Sequence, residues 1–232
     1  MPWTRKADRA ALDAAIAKSA FANMSVASRD QIVSRGTLVH LGSRVYFVRH
    51  RETPRVGLVV KGLTRAVRAS SDGRDLTLLW GKPGEAMGLT TVVVGPAPVS
   101  IQAVTDTVLL ELSGAQIRDL AMTDPTVGWA LAEFATTLLR RSIDEIVLYA
   151  LGTLRARIER RLLELACREP PGTPLVAHIT QEDLAEAVGA ARPSVARVLK
   201  DLRDEGSIRS LYGGVMIVRP EALAPESSSQ VA

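Results

Sequence analysis

The sequence predicts an α+β chain in three parts: an antiparallel β jelly roll behind a short helical lead, one long helix, and a C-terminal winged helix-turn-helix. Three observations predict it. Seven short β-branched runs, separated by turns, fall between Thr37 and Leu112. A helical pattern of roughly 26 residues then starts near Pro125, well beyond the usual globular length. Finally, "QEDLAEAVGAARPSVARVLKDLRDEGSI" sets two amphipathic patterns on either side of a Gly-Ala-Ala turn, and short β runs follow.

Residues 8 to 35 read as helical, with Leu12, Ala15 and Ile16, then Ile32 and Val33, as apolar faces around a break near Asn23 to Ser25. The β runs are "TLVHLG", "RVYFVRH", "VGLVVKG", "LTRAVRAS", "LTLLWG", "VSIQAV" and "TVLLEL", a spacing that fits a sandwich or jelly roll. "SSDGRD" is a hairpin signal, because Asp-Gly tolerates the positive backbone angles of a tight turn. After "SGAQIRDLAMTDP" the long helix carries Val127, Leu131, Phe134, Leu138, Arg141, Glu145 and Leu148 at alternating steps of three and four. That is the spacing of a two-helix seam, and its place between two domains favours dimerisation. The next helix, "LRARIERRLLELACRE", ends at the turn-rich "PPGTP". The expected domains are the helical lead and roll at 1–121, the dimerisation helix at 122–152, the winged helix-turn-helix at 153–222 and a disordered tail at 223–232.

The totals bound the function. At 232 residues the chain suits two domains, and 47% hydrophobic residues with a mean hydropathy of +0.11 fit a globular protein. No uncharged apolar run reaches about 18 residues, so no membrane span is expected. The N-terminus lacks the apolar core of a secretion signal, which predicts a cytoplasmic protein. A single cysteine, Cys167, excludes an iron-sulfur cluster needing several thiolates. At that position it reads as a small core residue or a redox switch. No nucleophile, base and acid are grouped, and no metal ligands stand at working spacing, so an enzyme is not expected. The net charge of +4 invites a nucleic-acid reading. However, Lys+Arg and Asp+Glu balance at 11 against 11 from residue 151 onward, and the excess of 18 against 14 lies upstream. Any DNA face must therefore come from local arrangement.

Residues 178 to 218 supply that arrangement. Thr180 followed by Asp183 resembles a capping box, so a helix begins there with Leu184 and Val188 facing inward. Gly189 ends it. Pro193 opens the second helix in its first turn, where a missing amide donor costs nothing. Val195, Val198, Leu199 and Leu202 form its core stripe, while Pro193, Lys200 and Arg197 fall at about 140 to 200° from Val195 on a 100° wheel. The Gly213-Gly214 turn between short β runs makes a wing. A helix of this kind enters the major groove, where arginine reads guanine through two parallel hydrogen bonds. Arg192 and Arg197 are the candidates for base reading; Thr180, Gln181, Ser194 and Lys200 are the candidates for phosphate contact.

This order of parts resembles the cyclic-AMP receptor/FNR (CRP/FNR) family of bacterial transcription regulators over about residues 20 to 220. "ITQEDLAEAVGAARPSVARVLKDLRDEGSI" is similar to the family's DNA-binding signature, and "VGLVVKGLTRAV" with "SSDGRDLTLLWGKPGEAMGL" is similar to its strands, hairpin and cassette entrance. The resemblance implies a cyclic-nucleotide-binding-type roll, a homodimer through the long helix and a pseudo-palindromic double-stranded DNA operator. It also implies RNA polymerase as a partner and control by re-aiming the recognition helices. Arg192 and Arg197 occupy the places of the family's base-reading arginines. Pro193 stands where cyclic-AMP receptors carry a glutamate, and it offers no acceptor.

The cassette departs from the family further. Where relatives hold the ribose with a Gly-Glu pair this chain has Gly88-Leu89, and where an arginine neutralises the phosphate it has Ala97-Pro98. A buried phosphate without a cationic partner has a large desolvation cost, so cyclic AMP in its usual pose is disfavoured. Arg141 and Ser142 lie where relatives approach the effector from the long helix. Haem would need axial ligands from His40, His50 and His178, of which His178 belongs to the DNA-binding domain and the others to strand ends; haem is not expected. The alternatives are a different effector, none at all, or a cyclic nucleotide in another pose.

Overall fold

The computed structural model describes residues 6–49, 55–69, 75–167 and 173–223. The Asp-Gly hairpin signal, His50, most of "PPGTP" and the tail from 224 lie outside the described residues. The chain divides into two compact units, Met1–Arg140 and Arg141–Ala232.

The first unit opens with α1 (Lys6–Lys18), a 3-10 turn (Ala20–Asn23) and α2 (Val26–Ser34). The helical lead breaks earlier than expected because two serines cap in succession. The Ser19 hydroxyl accepts from the Phe21 amide at 3.1 Å, and the Ser25 hydroxyl from that of Ser28 at 3.2 Å. Eight strands follow: β1 (Thr37–Leu41), β2 (Tyr46–Val48), β3 (Val56–Lys61), β4 (Thr64–Ala69), β5 (Asp75–Gly81), β6 (Ala86–Met87), β7 (Ser100–Ala103) and β8 (Thr107–Leu112). They form two antiparallel sheets, ordered β1-β8-β3-β6 and β2-β7-β4-β5. Phe47, Val48, Ala66 and Ile101 of one sheet meet Val59, Met87 and Leu109 of the other in a core between them. On the outer face of the first sheet, Leu58, Val60 and Leu110 pack with Leu12, Phe21, Ile32 and Val127. Strand β3 is thus covered on both faces, which explains why "VGLVV" is an unbroken apolar run. Three elements add to those expected: β6, the short α3 (Thr91–Val94) and α4 (Gly114–Thr123), capped by Ser113.

The long helix is α5 (Pro125–Leu151), 27 residues. Its start is held by Asp124, whose carboxylate accepts from the Ser25 and Ser28 hydroxyls at 2.6 Å each and from the Thr126 amide at 2.9 Å. These bonds, Ser25's first, hold that carboxyl well below its ordinary value of 3.8. The expected seam is corrected here. Val127 and Leu131 are buried in the first unit's own core, and Glu145 accepts from Arg161 Nη2 at 2.9 Å. The stripe left exposed is Trp129, Ala132, Thr136, Leu139, Ile143, Ile146 and Ala150, with the same three-four spacing in a shifted register.

The second unit contains α6 (Leu154–Leu165), β9 (Ala166–Cys167), β10 (Leu175–Ala177), α7 (Gln181–Val188), α8 (Arg192–Asp204), β11 (Ile208–Leu211), β12 (Gly214–Ile217) and α9 (Pro220–Leu223). The strands form one sheet ordered β11-β12-β10-β9. Its buried side chains include Ile158, Leu162, Leu184, Val195, Leu199, Leu202, Val215 and Ile217, each contributing about 1.5–3 kcal/mol through burial. Leu223 is buried as well and closes α9, so the expected tail boundary at 223 falls on an ordered residue. Within this unit the end of α5 is tied down by Tyr149, whose hydroxyl donates to the Ala187 carbonyl at 2.5 Å. Burial pushes that phenol up from its ordinary value.

Candidate functional site

Helices α7 and α8 are set by caps that the sequence encodes locally. The Thr180 hydroxyl accepts from the Asp183 amide at 3.1 Å and donates to the Asp183 carboxylate at 2.6 Å. Gly189 closes α7 in the left-handed region, at φ 63°, with its amide bonded to the carbonyls of Ala185 and Glu186. Ala191 starts α8 with Pro193 in the first turn. Val195, Leu199 and Leu202 are then wholly buried, and Arg192, Pro193, Ser194, Arg197 and Lys200 are all exposed. Among the described residues, no hydrogen bond or ion pair engages Arg192, Arg197 or Lys200. Three cations on one exposed helix, unneutralised, form a surface that a polyanion can complete.

The far end of α8 is clamped. Arg155 of α6 donates twice to the Glu205 carboxylate, both at 2.6 Å, and once to Glu159 at 2.8 Å. The pairing holds the Glu205 carboxyl below its ordinary value. Arg219 binds the Glu205 carbonyl and the Ser207 hydroxyl. These bonds fix where the helix gives way to the β11–β12 wing. At the wing tip Tyr212 is fully exposed beside Gly213, and Arg209 projects from the same hairpin. Sequence reasoning passed over both; the signal was an aromatic placed directly before the Gly-Gly turn. Of the phosphate candidates, Gln181, Ser194 and Lys200 are exposed and available, whereas the Thr180 hydroxyl is already spent on the helix cap.

A cavity of about 670 Å³ lies in the roll of the first unit. Gly88, Leu89, Ala97 and Pro98, all expected at an effector pocket, line it. Gly88 sits at φ 79°, and a Cβ there would lie 2.3 Å from the Arg55 carbonyl, so only glycine fits this turn. From α5, Phe134 and Leu138 line the cavity. Arg141, exposed, and Ser142, half-buried, belong to the second unit and are not among its lining residues. Neither His40 nor His178 lines it, and both are exposed. Half-buried Cys167 lies on β9, with its thiol 3.8 Å from the Val176 carbonyl.

Comparisons with known proteins agree with this layout. Residues 39–124 match the cyclic nucleotide-binding domain and residues 156–225 the Crp-like helix-turn-helix domain. The chain is 31% identical to transcriptional regulator LdrP of Thermus thermophilus, over 79% of this chain and 92% of that one. It is 33% identical to the cyclic AMP receptor protein of the same species, over 73% and 77%. A crystal structure of a CRP/FNR-family transcriptional regulator, also from Thermus thermophilus, superposes with a TM-score of 0.65 at 27% identity, covering 81% of this chain and 96% of that one. FixK2 of Bradyrhizobium japonicum shares the fold with a TM-score of 0.72 at 22% identity, over 81% and 95%.

Proposed function

The chain belongs to the CRP/FNR family of transcription regulators, and from that premise we propose that it is a homodimeric, sequence-specific regulator not controlled by cyclic AMP in its usual pose. Arg192 and Arg197 read bases in the major groove. Gln181, Ser194 and Lys200 hold phosphates. The observation that carries this reading is the unengaged cationic face of α8 opposite its buried stripe.

Dimerisation runs along the exposed stripe of α5, with Leu139, Ile143 and Ile146 at its centre. So many large apolar side chains exposed on one helix are unusual on a monomer, and in the first unit Val93, Val94 and Met122 line a second hollow of about 570 Å³ beside α4 and α5. Two-fold symmetry then requires a pseudo-palindromic operator with half-sites about one helical turn apart. RNA polymerase is the further partner. The helix-turn-helix works as a cytoplasmic DNA reader, and no described helix is long and apolar enough to cross a membrane.

The test is a gel shift on a palindromic promoter fragment at one fixed salt concentration, with and without cyclic AMP, beside sedimentation of the wild type and Ile143→Glu. Specific binding by a dimer, indifference to nucleotide and a monomeric variant are expected. Micromolar cyclic AMP that tightens DNA binding would instead favour the second reading, a cyclic nucleotide held in another pose, for which relatives described as cAMP-activated argue.

A further inference from the structure

We propose that the cavity in the β roll takes an uncharged, predominantly apolar small molecule in place of a cyclic nucleotide. The inference deepens the regulator reading, on which it rests for the cavity's role as an effector site. The family's ligand does not fit the residues present. Two arginines reach the cavity wall, and each is committed. Arg55 donates from Nε and Nη2 to both oxygens of Glu111 at 2.5 Å and from Nη1 to the Phe47 carbonyl at 2.8 Å. Arg49 lies at the exposed rim with its guanidinium 4.2 Å above the Tyr46 ring.

Many backbone donors of the cassette are committed too. In the cassette the amides of Thr91, Val92, Val93, Val94 and Gly95 all bond back to carbonyls between Gly88 and Thr91. The Val99 amide bonds to Ala97, and Pro96 and Pro98 have no amide hydrogen. An anion placed here would lose its water and gain no cation that is not already engaged.

What remains is an apolar wall: Leu78, Leu79, Met87, Leu89, Phe134 and Leu138. Leu89, at the position of the missing ribose acid, is 1% exposed and also belongs to the first unit's core. Half-buried Thr90 adds one hydroxyl on the wall with no hydrogen-bond partner of its own among the described residues. A guest with an apolar body and at most one polar group matches this lining. The volume lies within the range of small-molecule sites, and apolar hollows prefer apolar guests to water. Because Phe134 and Leu138 belong to α5, the guest touches the same helix whose opposite stripe is exposed, so binding there biases how α5 packs.

The experiment uses the full chain and N-phenyl-1-naphthylamine, a neutral apolar fluorophore, with cyclic AMP and cyclic GMP as competitors. Leu78→Glu and Ala97→Arg place a charge at exposed positions of the wall, where folding is retained and is checked by circular dichroism. Saturable binding of one fluorophore per protomer is expected, unmoved by millimolar nucleotide. Each variant should weaken it by about tenfold or more, the cost of bringing a charge beside an apolar guest. Displacement by micromolar nucleotide, or fluorophore affinity unchanged in both variants, overturns the proposal. Gel shifts on the same preparations separate the two readings. Protein that binds DNA but not the fluorophore defeats this inference alone, and protein that binds the fluorophore but no DNA defeats the regulator reading.

Discussion

The outward face of α8 and the wall of the roll's cavity are opposite in chemistry and in origin. On that face of α8, Arg192, Arg197 and Lys200 are exposed and unengaged among the described residues, and a single helix of 13 residues supplies all three. In the cavity the arginines are engaged elsewhere and the wall is mainly apolar, assembled from strands β2 and β4 to β7, the cassette around α3 and one face of α5. On the proposed reading, the contrast teaches that the DNA-binding end keeps a cationic face for its polyanionic partner, while the roll keeps a cavity whose wall suits a different guest. A site on one periodic element is preserved or lost by a few side chains. A cavity built from many elements keeps its walls when its polar contacts are replaced.

The comparison is broken most directly at α8. Replacing Arg192 and Arg197 together by alanine removes the two proposed guanine contacts, each worth roughly 1–3 kcal/mol of discrimination. Binding to the operator should fall toward the non-specific level, read by fluorescence anisotropy against a scrambled duplex, with the melting temperature unchanged. If the double variant unfolds instead, the outward face is structural and the contrast fails. On the inward face the reverse is expected. Leu199→Ala should lower unfolding free energy by about 2–5 kcal/mol, because it opens a void in a site with almost no exposure; urea denaturation reads this.

Lys200→Ala sharpens the division between reading and holding. It should weaken specific and scrambled DNA alike and lower the slope of log affinity against log salt by about 1. The smallest effect belongs to Asp124 at the start of α5. Its folded pKa is depressed, so its contribution is fully present above the unfolded value near 3.8 and is lost as pH falls through that value toward the folded one. Asp124→Asn should therefore differ from wild type most at neutral pH and converge with it in acid, followed by urea midpoints at several pH values.

Much of this was legible in local sequence, and the reasons are physical. Thr180, Gly189 and Pro193 are strong because caps act within three or four residues, and Val195, Leu199 and Leu202 declare a buried stripe through helical period alone. The loss of charge at Leu89 and Ala97 is equally a matter of reading residues in order. The α5 register was not legible. That helix is apolar on two sides with the same three-four spacing, and only packing against the roll assigns Val127 and Leu131 inward and leaves Trp129 and Leu139 outside.

The sequence by itself determined the order of the three parts, the second helix of the helix-turn-helix with its cationic face, and the uncharged stretch from Gly88 to Val99, since each depends on neighbours along the chain. Only the tertiary structure decided that Arg55 is committed to Glu111 and that Phe134 and Leu138 of α5 line the cavity beside the strands of the roll. Those facts join residues separated by tens of positions, and no local periodicity or propensity specifies such pairings before the sheets have closed around their core.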